Sequence, residues 1–258
     1  MICKKRNPLV KALSDLHFSP ITLPSSSIQL LDVVEKNDKG GYSRTTKIDT
    51  LFDYDVVKNP LPQAQNGVLP QAINQKFPTT IDAEIGLSLL QTWIGQLAGV
   101  SFNFNIAHKE AKTVEIQFLN TEEERVDIAD LNTFLDNCQL KTVAKAYQEK
   151  VKNNEIYVMV SLLKSNSFSI KVLDAQNNTI NLGANQEQIG SAKIKYNISS
   201  DNQTLTTYQG EMPLVFGVKC YQIICEDKYY VLKEAPDGLI KSAPKPIYLK
   251  TPTVFLDI

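Results

Sequence analysis

The chain has 258 residues, a net charge of −1, 43% hydrophobic residues and 21% charged ones. That is the profile of a soluble globular protein with material for one large domain or two small ones. The near-neutral balance excludes a global field that gathers nucleic acid or a lipid surface. No run of 18 apolar residues and no secretory h-region occurs, so the expected resting protein is soluble and cytoplasmic, without a transmembrane helix.

Asn7 and Pro8 suit the N-cap and first position of a short helix whose apolar face is Leu9, Leu13 and Leu16 and which ends near His17. SPITLP reads as a strand between two prolines and IQLLDVVEKN as another; NDKGG is a turn, and YSRTTKIDTLF continues as a strand. Residues 58–79 hold four prolines and many amides, the composition of a long loop. Thr80 as a cap, with Ile81, Ile85, Leu89, Trp93 and Leu97 stepping by four, predicts a buried helix over 81–98 that stops at Gly99.

VSFNFNIA then alternates, with Val100, Phe102, Phe104 and Ile106 on one face. TVEIQFL does the same with Val114, Ile116 and Phe118, after the polar turn HKEAK. EEER leads to a helical region over 127–152 that carries Leu131, Leu135, Cys138 and Tyr147. In EIYVMVSLL the residues Ile156, Val158, Val160 and Leu162 share a face; SFSIKVL offers Phe168, Ile170 and Val172, and AKIKYNI offers Ile194, Tyr196 and Ile198. Three more strands are predicted near 203–209, 214–225 and 228–233, followed by the proline-rich EAPDGLIKSAPKP and a last short strand, TVFLDI. The fold class is α+β: a twisted, largely antiparallel sheet with a few packed helices.

Catalytic signatures are absent: no GxGxxG, Walker loop, GxSxG, HExxH or CxxC occurs. His108 sits in a polar turn and Cys138 on an apolar helical stripe, so they are not expected to act as base and nucleophile. Asp53 and Asp55 read as solvated carboxylates, and Cys220 and Cys225 as small hydrophobes in apolar strands. No enzyme activity, metal or cofactor is expected. Cys3 differs, because Lys4, Lys5, Arg6 and the start of the Asn7 helix all lower its thiol pKa. A thiolate there is suited to attack an acyl donor, and the cations would add attraction to anionic lipid.

Cys3, the segment NPLVKALSDLHFSPITLP, the strand IQLLDVVEKNDKGGYSRTTKIDTLF and an α+β body with a detachable tail together resemble a bacterial gasdermin, most specifically over the first 55 residues. The resemblance implies a resting monomer held off by a C-terminal segment. A protease then cuts the linker, and the domain oligomerises into a large β-barrel pore in the inner membrane, killing the cell in antiphage defence. On this chain it implies a pore-forming domain at 1–233, a linker at 234–246 and an autoinhibitory peptide at 247–258, with a palmitoyl thioester on Cys3. The linker is exposed in composition, and Leu239, Lys241 and Lys245 are cleavage candidates for a caspase-like or trypsin-like protease. The alternating segments 100–106 with 114–118, and 156–162 with 168–172, are candidates for membrane hairpins. Membrane lipids and further copies of the chain are the other expected partners, and nucleic acid is not one. The alternative is a soluble adaptor that binds a protein through a sheet edge or the 58–79 loop.

Overall fold

The computed structural model describes residues 13, 16–36, 42–68, 79–83, 86–87, 110–141, 145–153, 155–180, 192–198, 204–226 and 229–234. In chain order the described elements are β1 (Ser19–Ser25), β2 (Asp32–Lys36), β3 (Tyr42–Lys47), α1 (Ile48–Leu51), β4 (Phe52–Asp53), β5 (Gln65–Val68), β6 (Thr79–Asp82) and β7 (Thr113–Arg125). They continue with α2 (Ile128–Asp136), β8 (Gln139–Leu140), α3 (Lys145–Lys152), β9 (Ile156–Leu173), β10 (Ala192–Ile198), β11 (Thr204–Glu226) and β12 (Tyr229–Glu234). The pairings β1–β11, β10–β11, β11–β12, β2–β3, β2–β9, β4–β8, β5–β7 and β6–β7 are all antiparallel. The chain divides into two compact units, one from residues 13–68, 122–163 and 215–258, the other from 1–12, 69–121 and 164–214.

In the first unit the strand order is β1-β11-β9-β2-β3. A sheet strand with neighbours and layers on all sides favours apolar residues on both faces, and the start of β9 has them: Ile156, Val158 and Val160 enter a core with Phe52, Leu131, Phe134, Leu135 and Ile223. Tyr157 and Met159, on the opposite face, enter a second cluster with Ile21, Ile28, Val34, Val215 and Val218. The expected single apolar face of Ile156, Val158, Val160 and Leu162 is therefore corrected: both faces are buried, and Leu162 joins the cluster of Tyr157 and Met159. Helix α2 starts because the Asp127 carboxylate accepts the amides of Ala129 (2.7 Å) and Asp130 (3.4 Å), the N-cap geometry that satisfies free helical donors. Its apolar side buries Leu131, Phe134 and Leu135. The Asn132 side chain accepts the Leu232 amide at 3.2 Å, so α2 also covers β12.

The second unit holds β6, the start of β7, the end of β9, β10 and the start of β11. Strand β6 pairs with β7 from Thr79↔Ile116 to Asp82↔Thr113. The predicted helical cap at Thr80 is thus overturned: the Thr79–Asp82 backbone is extended, β-branched Thr79, Thr80 and Ile81 suit a strand, and among the described residues of this stretch 83, 86 and 87 are helical. Most of the expected 81–98 helix, the 100–106 strand, His108, the N-terminal helix before Leu13 and everything after Glu234 lie outside the described residues.

Other expectations are merged rather than overturned. The two segments 156–162 and 168–172 are one 18-residue strand, since Lys164, Ser165 and Asn166 continue extended and give no turn. The segments near 203–209 and 214–225 are one 23-residue strand that carries Pro213. EEER ends β7 instead of linking to a helix. The helical region 127–152 is two helices separated by β8, and YSRTTKIDTLF bends into α1 after Lys47. Only Asp32–Lys36 of IQLLDVVEKN is strand, because Leu31 takes a left-handed φ of 64°.

Candidate functional site

The candidate site is a set of three long strands. Strands β7, β9 and β11 contain 13, 18 and 23 residues, where about 9 to 11 tilted residues span a bilayer. At about 3.3 Å per residue, β9 alone reaches about 60 Å. Among the described residues no helix is long and apolar enough to cross a membrane, so any crossing falls to strands.

Eight of the apolar residues proposed from sequence to face lipid face inward here. Val114, Ile116, Ile156, Val158, Val160, Phe168, Ile170 and Val172 are buried. Phe118 is half-buried, and its ring lies 6.2 Å from that of Phe168. They fall into two groups: Val114, Ile116, Phe118, Phe168, Ile170 and Val172 in the second unit, and Ile156, Val158 and Val160 in the first. Val100, Phe102, Phe104 and Ile106, together with Cys3, Leu239, Lys241 and Lys245, lie outside the described residues.

The ends of these strands are closed by specific polar contacts. Beyond β9 the chain turns tightly: the Asp174 carboxylate accepts the amides of Gln176 and Asn178, each at 2.8 Å, and the Asn178 side-chain amide at 3.0 Å. The Asn178 side-chain bond leads in lowering the pKa of that exposed carboxyl, with the two backbone amides in support and its slight burial opposing. Asn177 supplies the left-handed residue, φ 63°, that lets Ile180 return to the Val172 carbonyl at 2.7 Å.

Sequence reasoning also passed over a row of small polar residues on β9. Ser161, Ser165, Ser167 and Ser169 are buried. The Ser161 hydroxyl donates to Glu123 at 2.6 Å. The Ser165 hydroxyl stands between the carbonyls of Leu119 and Ser167 and accepts the Ser167 amide at 3.1 Å. The signal was in the sequence, as serine at alternate positions in an otherwise apolar run. A cavity of about 360 Å³ lies beside Glu123, Arg125, Asp127, Ser161, Lys219 and Tyr221. Among the described residues no cluster of metal-ligating side chains occurs. Asp55 caps its own turn through the amides of Val57 (2.9 Å) and Lys58 (3.1 Å), and Asp53 is exposed. Cys138 is buried, with its thiol on the Leu135 carbonyl at 3.3 Å.

Comparison with known proteins gives this architecture relatives along most of its length. The chain is 27% identical over 221 residues to gasdermin bGSDM of Gillisia limnaea, which covers 85% of this chain and 82% of the relative. It is 25% identical to gasdermin bGSDM of Lysobacter enzymogenes, over 98% of this chain and 97% of that one. The solved structure of a bacterial gasdermin from Bradyrhizobium tropiciagri shares the fold, with a TM-score of 0.58 at 14% identity over 89% of this chain and 91% of that chain. The profile of the Bacterial Gasdermin Family matches residues 21–230, and the chain belongs to that family.

Proposed function

We propose that this protein is the resting form of a pore-former. Removal of a C-terminal peptide, residues 247–258, by a cut within 234–246 releases residues 1–233 to assemble with further copies as a β-barrel in the bacterial inner membrane. The outcome is death of the cell, as a defence against phage. Strand length carries the reading: β7, β9 and β11 each exceed what a bilayer crossing needs. Their apolar side chains, now buried, are the groups that would meet lipid once turned outward. Family membership supports it. The activating partner is a caspase-like or trypsin-like protease acting at Leu239, Lys241 or Lys245. The lipid anchor is a palmitoyl thioester on Cys3.

The test is direct. The full chain, with a site-specific protease sequence placed in 234–246, is cut in the presence of dye-loaded vesicles of phosphatidylethanolamine and phosphatidylglycerol. Dye should escape only after the cut, as the protein moves from monomer to large assembly. Cut protein that stays a single subunit and leaves the vesicles sealed would overturn the reading.

One observation favours a second reading, a soluble adaptor. Val56 and Val57 are 69% and 89% exposed on a turn braced by Tyr54 against Phe134 (ring centroids 5.0 Å) and by the Asn59 amide on the Phe134 carbonyl (2.9 Å). A firmly held apolar tip suits a protein contact. Capture of a protein partner, lost on Val57→Asp while cut protein leaves vesicles intact, would select the adaptor.

A further inference from the structure

Strand β7 contains one residue too many for its partner. The Lys112 amide bonds the Leu173 carbonyl at 2.8 Å, and the Val126 amide bonds the Val160 carbonyl at 3.0 Å. From Lys112 to Val126 is fourteen steps, and from Leu173 to Val160 thirteen. An antiparallel pair absorbs the difference as a β-bulge. Burial is consistent with a switch near Asn120: even-numbered Val114 and Ile116 are buried before it and odd-numbered Thr121 directly after it, while Val126, buried again, lies past the end of β7. Between them Asn120 has φ 50°, a left-handed conformation that non-glycine residues adopt rarely. The Ser165 hydroxyl fills the gap by reaching the Leu119 carbonyl, and Thr121, 3% exposed, keeps a buried hydroxyl with no hydrogen-bond partner among the described residues. Strain and an orphaned polar group thus sit together at one point of a candidate spanning strand.

We propose that the Asn120 bulge is a conformational latch. A bilayer-spanning strand needs one unbroken alternation, because a shift by a single residue exchanges its two faces. With the bulge in place, β7 changes face at Asn120 and cannot present Val114, Ile116 and Phe118 on the same side as the later even positions. Straightening Asn120 into the extended region restores one face through the whole strand and frees the Thr121 hydroxyl to find a partner. The resting fold keeps β7 bulged, and conversion to the membrane form removes the bulge. This inference rests on the pore-forming reading and adds the step that governs its rate.

The variants act on the φ of residue 120. Asn120→Gly favours the left-handed state and strengthens the latch, while β-branched Asn120→Val opposes that state and weakens it. Leu87→Ala, a cavity variant at a buried helical position, serves as a control for loss of stability alone. Each is made in the cleavable full chain, and dye release from the same vesicles is timed after the cut. The expected order is Asn120→Val faster than wild type and Asn120→Gly several-fold slower, with Leu87→Ala well behind Asn120→Val at a matched fall in Tm. If Asn120→Val does not fold, the slower release by Asn120→Gly alone supports the latch. Equal rates for wild type and Asn120→Gly, or equal acceleration by Leu87→Ala and Asn120→Val, would overturn it while pore formation stands. Sealed vesicles with cut wild-type protein would remove both.

Discussion

Buried thiols and phenols make the resting fold sensitive to alkali. Burial, followed by the neighbouring Asp136 carboxylate, pushes the Cys138 thiol up to about 12, and burial does the same to Cys220. Tyr42 and Tyr157 meet edge to face at 5.2 Å beside Cys220, and burial raises both. In the unfolded chain a thiol ionises near about 8.5 and a phenol near about 10. Between about pH 9 and 12 the unfolded chain has therefore released protons that the fold retains. Stability is fully present below about pH 8.5 and is lost as pH rises, by at most about 1.4 kcal/mol per pH unit for each such group. Thermal unfolding should give a Tm that is level from pH 7 to 8 and falls from pH 9 upward, with a shallower fall in Cys220→Ala. A Tm unchanged to pH 10.5 would show that these groups are not shielded. Alkylation should separate exposed from buried thiols: Cys225 reacts at pH 8, and Cys138 stays largely unmodified until the fold opens.

At the scale of elements, the sharpest packing constraint is where helical Gly86 crosses β7. A Cβ built on Gly86 would stand 2.5 Å from the Val114 Cβ and 2.7 Å from one of its methyls. Both residues are buried, so neither can yield without moving backbone. Gly86→Ala should cost about 1–3 kcal/mol by overpacking, a Tm lower by several degrees in spite of alanine's better helix propensity. A double variant with Val114→Ala should recover part of the loss; no recovery would place the strain elsewhere. This contact also shows what the sequence discloses. The apolar spacing of Val114, Ile116 and Phe118, or of Phe168, Ile170 and Val172, announces strands because each alternation is local. The joining of 156–162 to 168–172 is not local. KSNS looks like a turn, yet it stays extended because Ser165 finds carbonyl partners on β7 and on its own strand. The same holds for Thr80, a good helical cap in isolation that the β6–β7 ladder draws into a strand. The candidate lipid-facing residues were legible as apolar faces. The bulge between them was not, since Asn120 reveals its backbone only when register with β9 is known.

At the scale of the whole molecule, the proposed function asks one chain to be stable in water and then committed to a bilayer. The resting fold meets the first demand by turning the apolar sides of β7 and β9 inward. The second demand needs an encounter with membrane before those strands turn out, and Cys3 with Lys4, Lys5 and Arg6 is suited to provide it. A buried acyl chain contributes about 0.8 kcal/mol per methylene, yet one chain alone gives only reversible binding. Three cations beside an anionic surface add about 1 kcal/mol each, an amount that salt screens within about 8 Å at physiological ionic strength. Under the proposed function two weak signals of different origin would act together, and they separate experimentally. Intact protein from bacterial cells should show a mass increment of one fatty acyl group that hydroxylamine removes, and Cys3→Ala should lack it. After the cut, Cys3→Ala should release dye about tenfold more slowly at every salt concentration, with its Tm unchanged. Replacing Lys4, Lys5 and Arg6 by glutamine should slow release only on anionic vesicles and only at low salt. Full-speed release by Cys3→Ala, or an acyl mass that persists in it, would remove the anchor from Cys3 and leave β-strand insertion to begin without one.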